Sequence, residues 1–497
     1  MRGRRGAVAG SRLAGSLFAA FAAFAPFAAF AAPVQAGAAR ILYFEPFNVT
    51  TDASLAGSCK TVVGKTSTST VRKVHLNAYG RRFELVLEKN TRLSGALPSS
   101  TDDGPSLSLY KGALENVPHS WVRMSAKGQS VRGMIWDGSE LYIVESAALV
   151  RDSLAAPGVP AADGSIIFKL SDTQIEPGTA VCATDGKAPN ANGANAYKSL
   201  LGELKSSAVI SQAIGANLRL QISALGDSKL LEQYGSDQQA RDEILLRLNN
   251  VDGIYSSQLG VEIQVPTLDV SSDVNSDGVS ATTNPDSLLE ELAALREQTP
   301  QLYSRGLTHL FTGRDLDSNT VGIAYRDTLC HKKYGAGLTE VNGRGSWLES
   351  LIAAHEIGHN FGAVHDGEAP KHVGDDNCQT TPPGQFIMSP SVSQAINNFS
   401  QCSLDMMIPR MQAASCITLL PPADLSVPAD LGTLHQPMTQ PFDWELPITN
   451  IGGSNALAAH VELLVPPVVI VDDAYVPGGT ACRDKRCRQC CHRGRDR

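Results

Sequence analysis

The chain has no surplus of positive charge. Forty-two Lys and Arg stand against 50 Asp and Glu, a formal net charge of -8, so no polyanion is attracted and nucleic acid is excluded as a partner. Past residue 40 it has no apolar run long enough to cross a bilayer, so no membrane span is expected once the N-terminal segment has been removed. Residues 184–198 contain no dibasic pair, so the protease that would mature the chain is not written there. The rest of the composition is that of an ordinary globular protein, 42% hydrophobic and 19% charged. The 497 residues are too many for one core, and roughly two to four domains are expected.

The N-terminus reads as a targeting segment. Arg2, Arg4, Arg5 and Arg12 form a basic start, residues 13–32 are an Ala/Phe-rich apolar run, and Val34-Gln35-Ala36 is a small-residue cleavage site. The run is long enough to serve as an anchor, but Pro26 inside it and the clean cleavage site favour a removed signal peptide over residues 1–36. Export places the mature chain outside the cell, or in the periplasm of a bacterium. There the ten cysteines are disulfide candidates.

The chain is organised around residues 350–367, SLIAAHEIGHNFGAVHDG. Leu351, Ile352, Ala353, Ala354 and Ile357 suit a helix. On a helix His355 and His359 share one face, so both imidazoles can aim at one ion. Glu356 points elsewhere but can reach a water on that ion. A third ligand ten residues on cannot come from the same straight helix. Gly362 supplies the positive-φ turn that brings His365 back. Three neutral imidazoles with an open fourth position are the ligand set of a catalytic zinc, one ion per chain. HExxH alone is a weak signal, but the extended H-E-x-x-H-x-x-G-x-x-H-D pattern is specific.

Residues 37–183 read as a β-rich domain. Residues 83–87 alternate like a half-buried strand, and residues 130–144 read as a hairpin about Asp137-Gly138. Residues 184–199 are a Gly/Asn/Ala-rich linker. Residues 200–419 form the domain that holds the zinc motif. Strands are expected at 218–222, 261–265, 307–312 and 321–325, and helices at 237–255 and 286–296. Asp273-Val274-Asn275-Ser276-Asp277-Gly278 matches the first half of a calcium loop. Asn284 stands where a bidentate Glu is needed, so an Asx-rich surface turn is the reading and Ca2+ is not expected. His309, His331 and His372 lack ligand spacing. Residues 420–480 are Pro-rich with strand-like runs. Residues 481–497 are a basic tail with Cys482, Cys487, Cys490 and Cys491 in no standard metal-binding spacing.

Several stretches resemble the reprolysin, or adamalysin, (ADAM-like) zinc metalloproteases of the metzincin class. They are residues 74–93 with 130–145, HLFTGRD from His309, TVGIAYRDTLC ending at Cys330, the zinc motif with Asp366 directly after its third His, and FIMSP at 386–390. The resemblance implies an α/β (α+β) metzincin fold. A mixed twisted sheet of about five strands and an active-site helix would sit above a small lower subdomain. A prodomain would come before it, and residues 420–480 resemble a partial Ig-like β-sandwich module.

The resemblance also implies roles. His355, His359 and His365 hold zinc, Glu356 is the general base, and Gly362, Asp366 and Met388 shape the site, Met388 as the floor beneath the histidines. Thr308, His309, Leu310, Phe311, Thr312, Gly313, Gly322, Ile323 and Ala324 form a substrate-binding rim. The disulfides are Cys330–Cys416 and Cys378–Cys402. A cysteine switch closes the prodomain, for which Cys182 is the candidate, Cys59 a weaker one and a Cys59–Cys182 disulfide the plain alternative. The implied activity is a secreted, monomeric zinc metalloendopeptidase, made as a zymogen and cleaving protein or peptide substrates. The alternatives are a catalytically silent adhesion or binding protein on the same scaffold, and an HExxH amidase for small molecules. Loss of the Glu or of a ligand His would signal the first, and all are present.

Overall fold

The computed structural model describes residues 39–47, 49–50, 72–94, 106–128, 130–155, 164–175, 181–182, 218–370, 376–390, 398–420, 425–426 and 449–450. The expected signal peptide, the 184–199 linker, nearly all of 420–480 and the 481–497 tail lie outside them. Of the expected Ig-like module, only the antiparallel pair Leu425–Ser426 and Thr449–Asn450 is described.

The N-terminal part is built of strands. In chain order they are β1 (Ala39–Ile41), β2 (Glu45–Pro46), β3 (Val49–Thr50), β4 (Arg72–Ala78), β5 (Arg81–Lys89), β6 (Ser108–Leu114), β7 (Trp121–Lys127), β8 (Ser130–Trp136), β9 (Leu141–Ser146), β10 (Ser165–Lys169), β11 (Thr173–Ile175) and β12 (Val181–Cys182). Nine of them form one antiparallel sheet in the order β2-β10-β9-β8-β7-β6-β5-β4-β3. The β8–β9 hairpin turns at Asp137, whose Oδ1 accepts from the backbone N–H groups of Ser139 and Glu140 at 2.9 and 2.8 Å. This is the Asx chemistry the Asp-Gly pair suggested.

Alternation sorts the side chains of this sheet into two cores. Ile135, Val144 and Ile167 join Phe83, Leu85 and Val122 on one face. Their chain neighbours Met134, Ile143, Ile166 and Phe168 point the other way, into a core shared with the second half of the molecule.

That second half begins with β13 (Leu218–Gly226), α1 (Ser228–Tyr234), α2 (Asp237–Leu259), β14 (Val261–Val270) and α3 (Pro285–Gln298). It continues with β15 (Leu307–Thr312), β16 (Thr320–Ala324), β17 (Ala336–Glu340), α4 (Ser346–Asn360), α5 (Gln401–Ala413) and β18 (Ile417–Leu419). Helix starts follow capping chemistry. Asp227, Ser236, Asn284 and Ser400 each accept a backbone N–H from the first turn of α1, α2, α3 and α5. Helix α4 is the exception. Its N-cap is Gly345, which has no side chain to offer.

The second sheet runs β12-β16-β17-β15-β13-β14, with β18 antiparallel to the start of β13. Five strands are the expected mixed sheet. The other two are β18 and β12, the latter contributed by the N-terminal part and lying parallel to β16. Strand order corrects one expectation. β15 is hydrogen-bonded to β13 on one side and β17 on the other. Thr308 to Thr312 therefore have no free edge to offer a peptide. Thr308 and Thr312 are tied to Arg296 and Asp227, and Gly313 N–H donates to Asp227 at 3.0 Å. The strand that faces outward across the site is β16, beyond which, among the described residues, only β12 lies.

The chain's central helix α2 packs against the N-terminal sheet. Gly253 allows the close approach: a Cβ there would lie 2.6 Å from the Trp121 ring. Two disulfides, Cys330–Cys416 and Cys378–Cys402, tie β18 and α5 back to the domain. The calcium-like loop is a polar turn. Asp273 accepts from Asn275 N–H at 2.9 Å, while buried Asp277 is committed to Ser228 and Arg314.

Candidate metal centre

Helix α4 carries His355, Glu356 and His359 and ends at Asn360. The chain then turns at Gly362, with φ of +98°. A Cβ at that position would also strike Arg410 of α5, 2.1 Å away. The turn returns His365 to the helix. His355 Nε2 lies 3.0 Å from His359 Nε2 and 3.2 Å from His365 Nε2. All three imidazoles are buried.

Each ring is oriented through its other nitrogen. His355 Nδ1 meets the carbonyl of Ile387 at 2.6 Å, His359 Nδ1 that of Ala363 at 2.9 Å, and His365 Nδ1 a carboxylate oxygen of Glu368 at 3.0 Å. With the Nδ1 positions donating, the three Nε2 lone pairs converge on one point. That crowding is unfavourable unless a cation sits among them. Tetrahedral zinc at about 2.0–2.1 Å from each nitrogen would hold them about 3.3 Å apart. The donor set therefore fits the ion that the motif calls for. Burial lowers the pKa of His355 to about 3 and holds that of His359 well below the ordinary range, so these two rings are neutral and ready to ligate.

Cys182 stands on the open side of this trio and carries a thiol. Its Sγ is 3.7 Å from His359 Nε2 and donates to Glu356 Oε1 at 3.0 Å. One ligand atom from each of Cys182, His355, His359 and His365 lies within 4.8 Å of all the others. Cys59, the other cysteine considered, lies outside the described residues. Glu356 is fully buried, and burial raises its pKa to about 8 against the opposing pull of the Cys182 hydrogen bond. Its Oε2 has no hydrogen-bond partner among the described residues. A buried carboxylate poised to gain or lose a proton beside a metal site suits a general base.

The floor comes from residues 386–390. Met388 is fully buried against Gly358 of α4, where a Cβ would lie 2.7 Å from its Sδ. Asp366 binds this segment to the helices. Its N–H donates to the Met388 carbonyl at 2.8 Å, and its Oδ1 accepts from Ser400 at 2.7 Å. Beside the histidines, Val321, Leu351, Ile352, Ile387 and Pro390 line an apolar pocket that Cys182 also lines.

Of the expected rim, Gly322 lies against Glu356. A Cβ there would lie 2.5 Å from Glu356 Oε1. Ile323 packs into the core on the α3 side, and Ala324 meets Gly337. His309 is buried and bonded to Thr339 at 2.9 Å, far from ligand duty. His331 accepts backbone N–H groups in a turn, and His372 lies outside the described residues. The carbonyls of Ile387 and Ala363 were not legible in the sequence, because any residue type supplies a backbone acceptor.

An HExxH helix, a third histidine across a glycine turn and a buried Met beneath them make up a candidate metal site. Residues 219–400 match the Reprolysin_5 family, described as metallo-peptidase family M12. Disintegrin and metalloproteinase domain-containing protein 11 of Homo sapiens is 27% identical over 355 residues, which cover 66% of this chain and 43% of that relative. Over residues 219–400 the chain is thus similar to reprolysin/ADAM-type metalloprotease domains, and it spans under half the length of this curated relative.

Proposed function

We propose that this chain is an exported zinc metalloendopeptidase made as a zymogen. Residues 37–183 are its prodomain, residues 200–419 its catalytic domain, and Cys182 the switch that keeps it silent. The observation that carries this reading is the four-donor cluster of Cys182, His355, His359 and His365 with Glu356 alongside. The two disulfides and the ADAM-type relative support an oxidising, extracellular setting. Among the described residues, no helix is long and apolar enough to cross a membrane.

His355, His359 and His365 hold the zinc, which when bound activates water and polarises the scissile carbonyl. The residues do the rest. Glu356 accepts the water's proton and then delivers it to the leaving amine. Its buried, water-poor setting keeps its proton affinity high enough for both steps. In the zymogen, β12 lies along β16 and presents Cys182 at the fourth ligand position. When β12 leaves, β16 becomes a free sheet edge on which an extended peptide pairs backbone to backbone. The pocket of Val321, Leu351, Ile352, Ile387 and Pro390 then receives an apolar side chain of the substrate.

The test uses full-length protein with a unique protease site introduced between residues 183 and 217. Wild type and Glu356→Ala are both cut, and zinc content and casein hydrolysis are measured. Wild type should hold about one zinc and cleave, while Glu356→Ala should keep the zinc and lose roughly 100- to 10,000-fold in rate. If both bind zinc and neither cleaves any protein substrate, the scaffold is a binding module and the proposal fails.

A further inference from the structure

Helix α4 begins without a cap of its own. Gly345 sits at its N-cap with φ of +102° and no side-chain oxygen. The first helical N–H, that of Ser346, instead donates to Glu145 Oε2 at 3.1 Å, and the Ser346 hydroxyl donates to the same oxygen. Glu145 stands on β9, 201 residues earlier in the chain, and is fully buried. Its other oxygen accepts from Arg132 Nε at 2.6 Å and from Ser146 N–H at 3.0 Å.

The contact continues in both directions. Arg132 reaches Glu243 of α2 at 3.0 Å, Glu243 accepts from Arg247 at 2.7 Å, and Arg247 donates to Glu349 in the first turn of α4 at 3.0 Å. Glu349 Oε1 then accepts the backbone N–H groups of Asn342 and Gly343 at 3.1 and 3.0 Å, fixing the loop that leads into the helix. Alongside, Phe168 of β10 packs edge-on against Trp347, the second residue of α4, with ring centroids 5.9 Å apart.

We propose that Glu145 is a positioning residue for the metal-binding helix: the N-terminal sheet supplies, in trans, the carboxylate cap that α4 lacks. A carboxylate at a helix start satisfies an orphan N–H and meets the positive end of the helix dipole. Here it steadies the helix that carries His355, Glu356 and His359. The N-terminal domain therefore acts on the site at two places, through the Cys182 segment from above and through Glu145 at the helix start. Its departure removes the only side-chain acceptor bonded to Ser346 N–H among the described residues. The inference rests on reading α4 as the zinc helix, but its measurement does not depend on catalysis.

The experiment compares full-length wild type, Glu145→Gln and Glu145→Ala. Amide hydrogen exchange is followed by mass spectrometry, and zinc transfer to a chromogenic chelator is timed. Glu145→Ala should speed exchange of the amides from Ser346 to Leu351 by about tenfold, a change of about 1.4 kcal/mol in local opening. It should also speed zinc transfer, while β13 and β15 exchange as in wild type. Glu145→Gln can still accept from Ser346 but lacks the charge that holds Arg132, and should fall between the two. If Glu145→Ala does not fold, the Gln variant decides alone. Unchanged exchange in α4, or an equal rise in α4, β13 and β15, overturns the inference. Wild type that binds no zinc overturns the proposed function instead and leaves the exchange data to judge the cap.

Discussion

The thiol of Cys182 donates to Glu356 Oε1 at 3.0 Å across 174 residues of sequence. One side chain thus engages the carboxylate that would act as base while standing 3.7 Å from the His359 imidazole. In the uncut chain, Cys182→Ala should raise casein hydrolysis at least about tenfold over uncut wild type, because Glu356 and the fourth ligand position are released together. A silent Cys182→Ala chain that still holds zinc would show that β12 alone blocks the cleft.

Gly322 is the residue opposite Cys182 in the β12–β16 register. A Cβ there would lie 2.5 Å from Glu356 Oε1, so Gly322→Ala must displace the carboxylate or the strand. A shift of about 1 Å in a reacting group costs about 100-fold in rate. The expected result is a fall in kcat of that order with zinc content intact, read by steady-state kinetics and metal analysis on cut protein.

Glu243 gives the fold a pH dependence. Burial raises its pKa, but Arg132 and Arg247 outweigh burial and hold it at about 2. A carboxylate depressed in the folded state stabilises fully above its ordinary value of about 4.5, and that contribution fades as pH falls toward about 2. Wild type should lose on the order of 3 kcal/mol across this window from this group. Glu243→Gln should lack that slope and, at pH 7, be about 3–5 kcal/mol less stable, since two buried guanidinium groups each lose one of their two carboxylate partners. Urea unfolding at a series of pH values reads both quantities.

The Cys330–Cys416 bridge closes 86 residues of chain and ends beside β18, which pairs with the start of β13. Replacing both cysteines with Ser should cost about 4.6 kcal/mol by the loop-entropy relation. Chemical denaturation of the double variant against wild type measures it, and a loss below about 1 kcal/mol would show that residual structure already constrains the unfolded chain without the bridge.

Much of the site was legible because its parts are close in sequence. The two helix histidines, the glutamate beside the first and the glycine turn to the third lie within eleven residues, where helical period and φ preference decide geometry. The β8–β9 hairpin at Asp137-Gly138 was also local, as were the helices expected at 237–255 and 286–296. The part of the rim expected at 308–313 was misplaced for the complementary reason. The residues from Thr308 to Thr312 alternate like any strand, and nothing in their types says whether a neighbour lies on one side or both.

The sequence by itself determined the ligand chemistry: three imidazoles and a carboxylate at spacings that a helix and a glycine turn convert into one converging site. Only the tertiary structure decided which strand forms the outer edge of the cleft, that the carbonyls of Ile387 and Ala363 orient two of the rings, that Cys182 faces Glu356, and that Glu145 of β9 meets the start of the helix. Those contacts join residues brought together by strand order and core packing. Local periodicity carries no information about which distant partner a buried polar group will find.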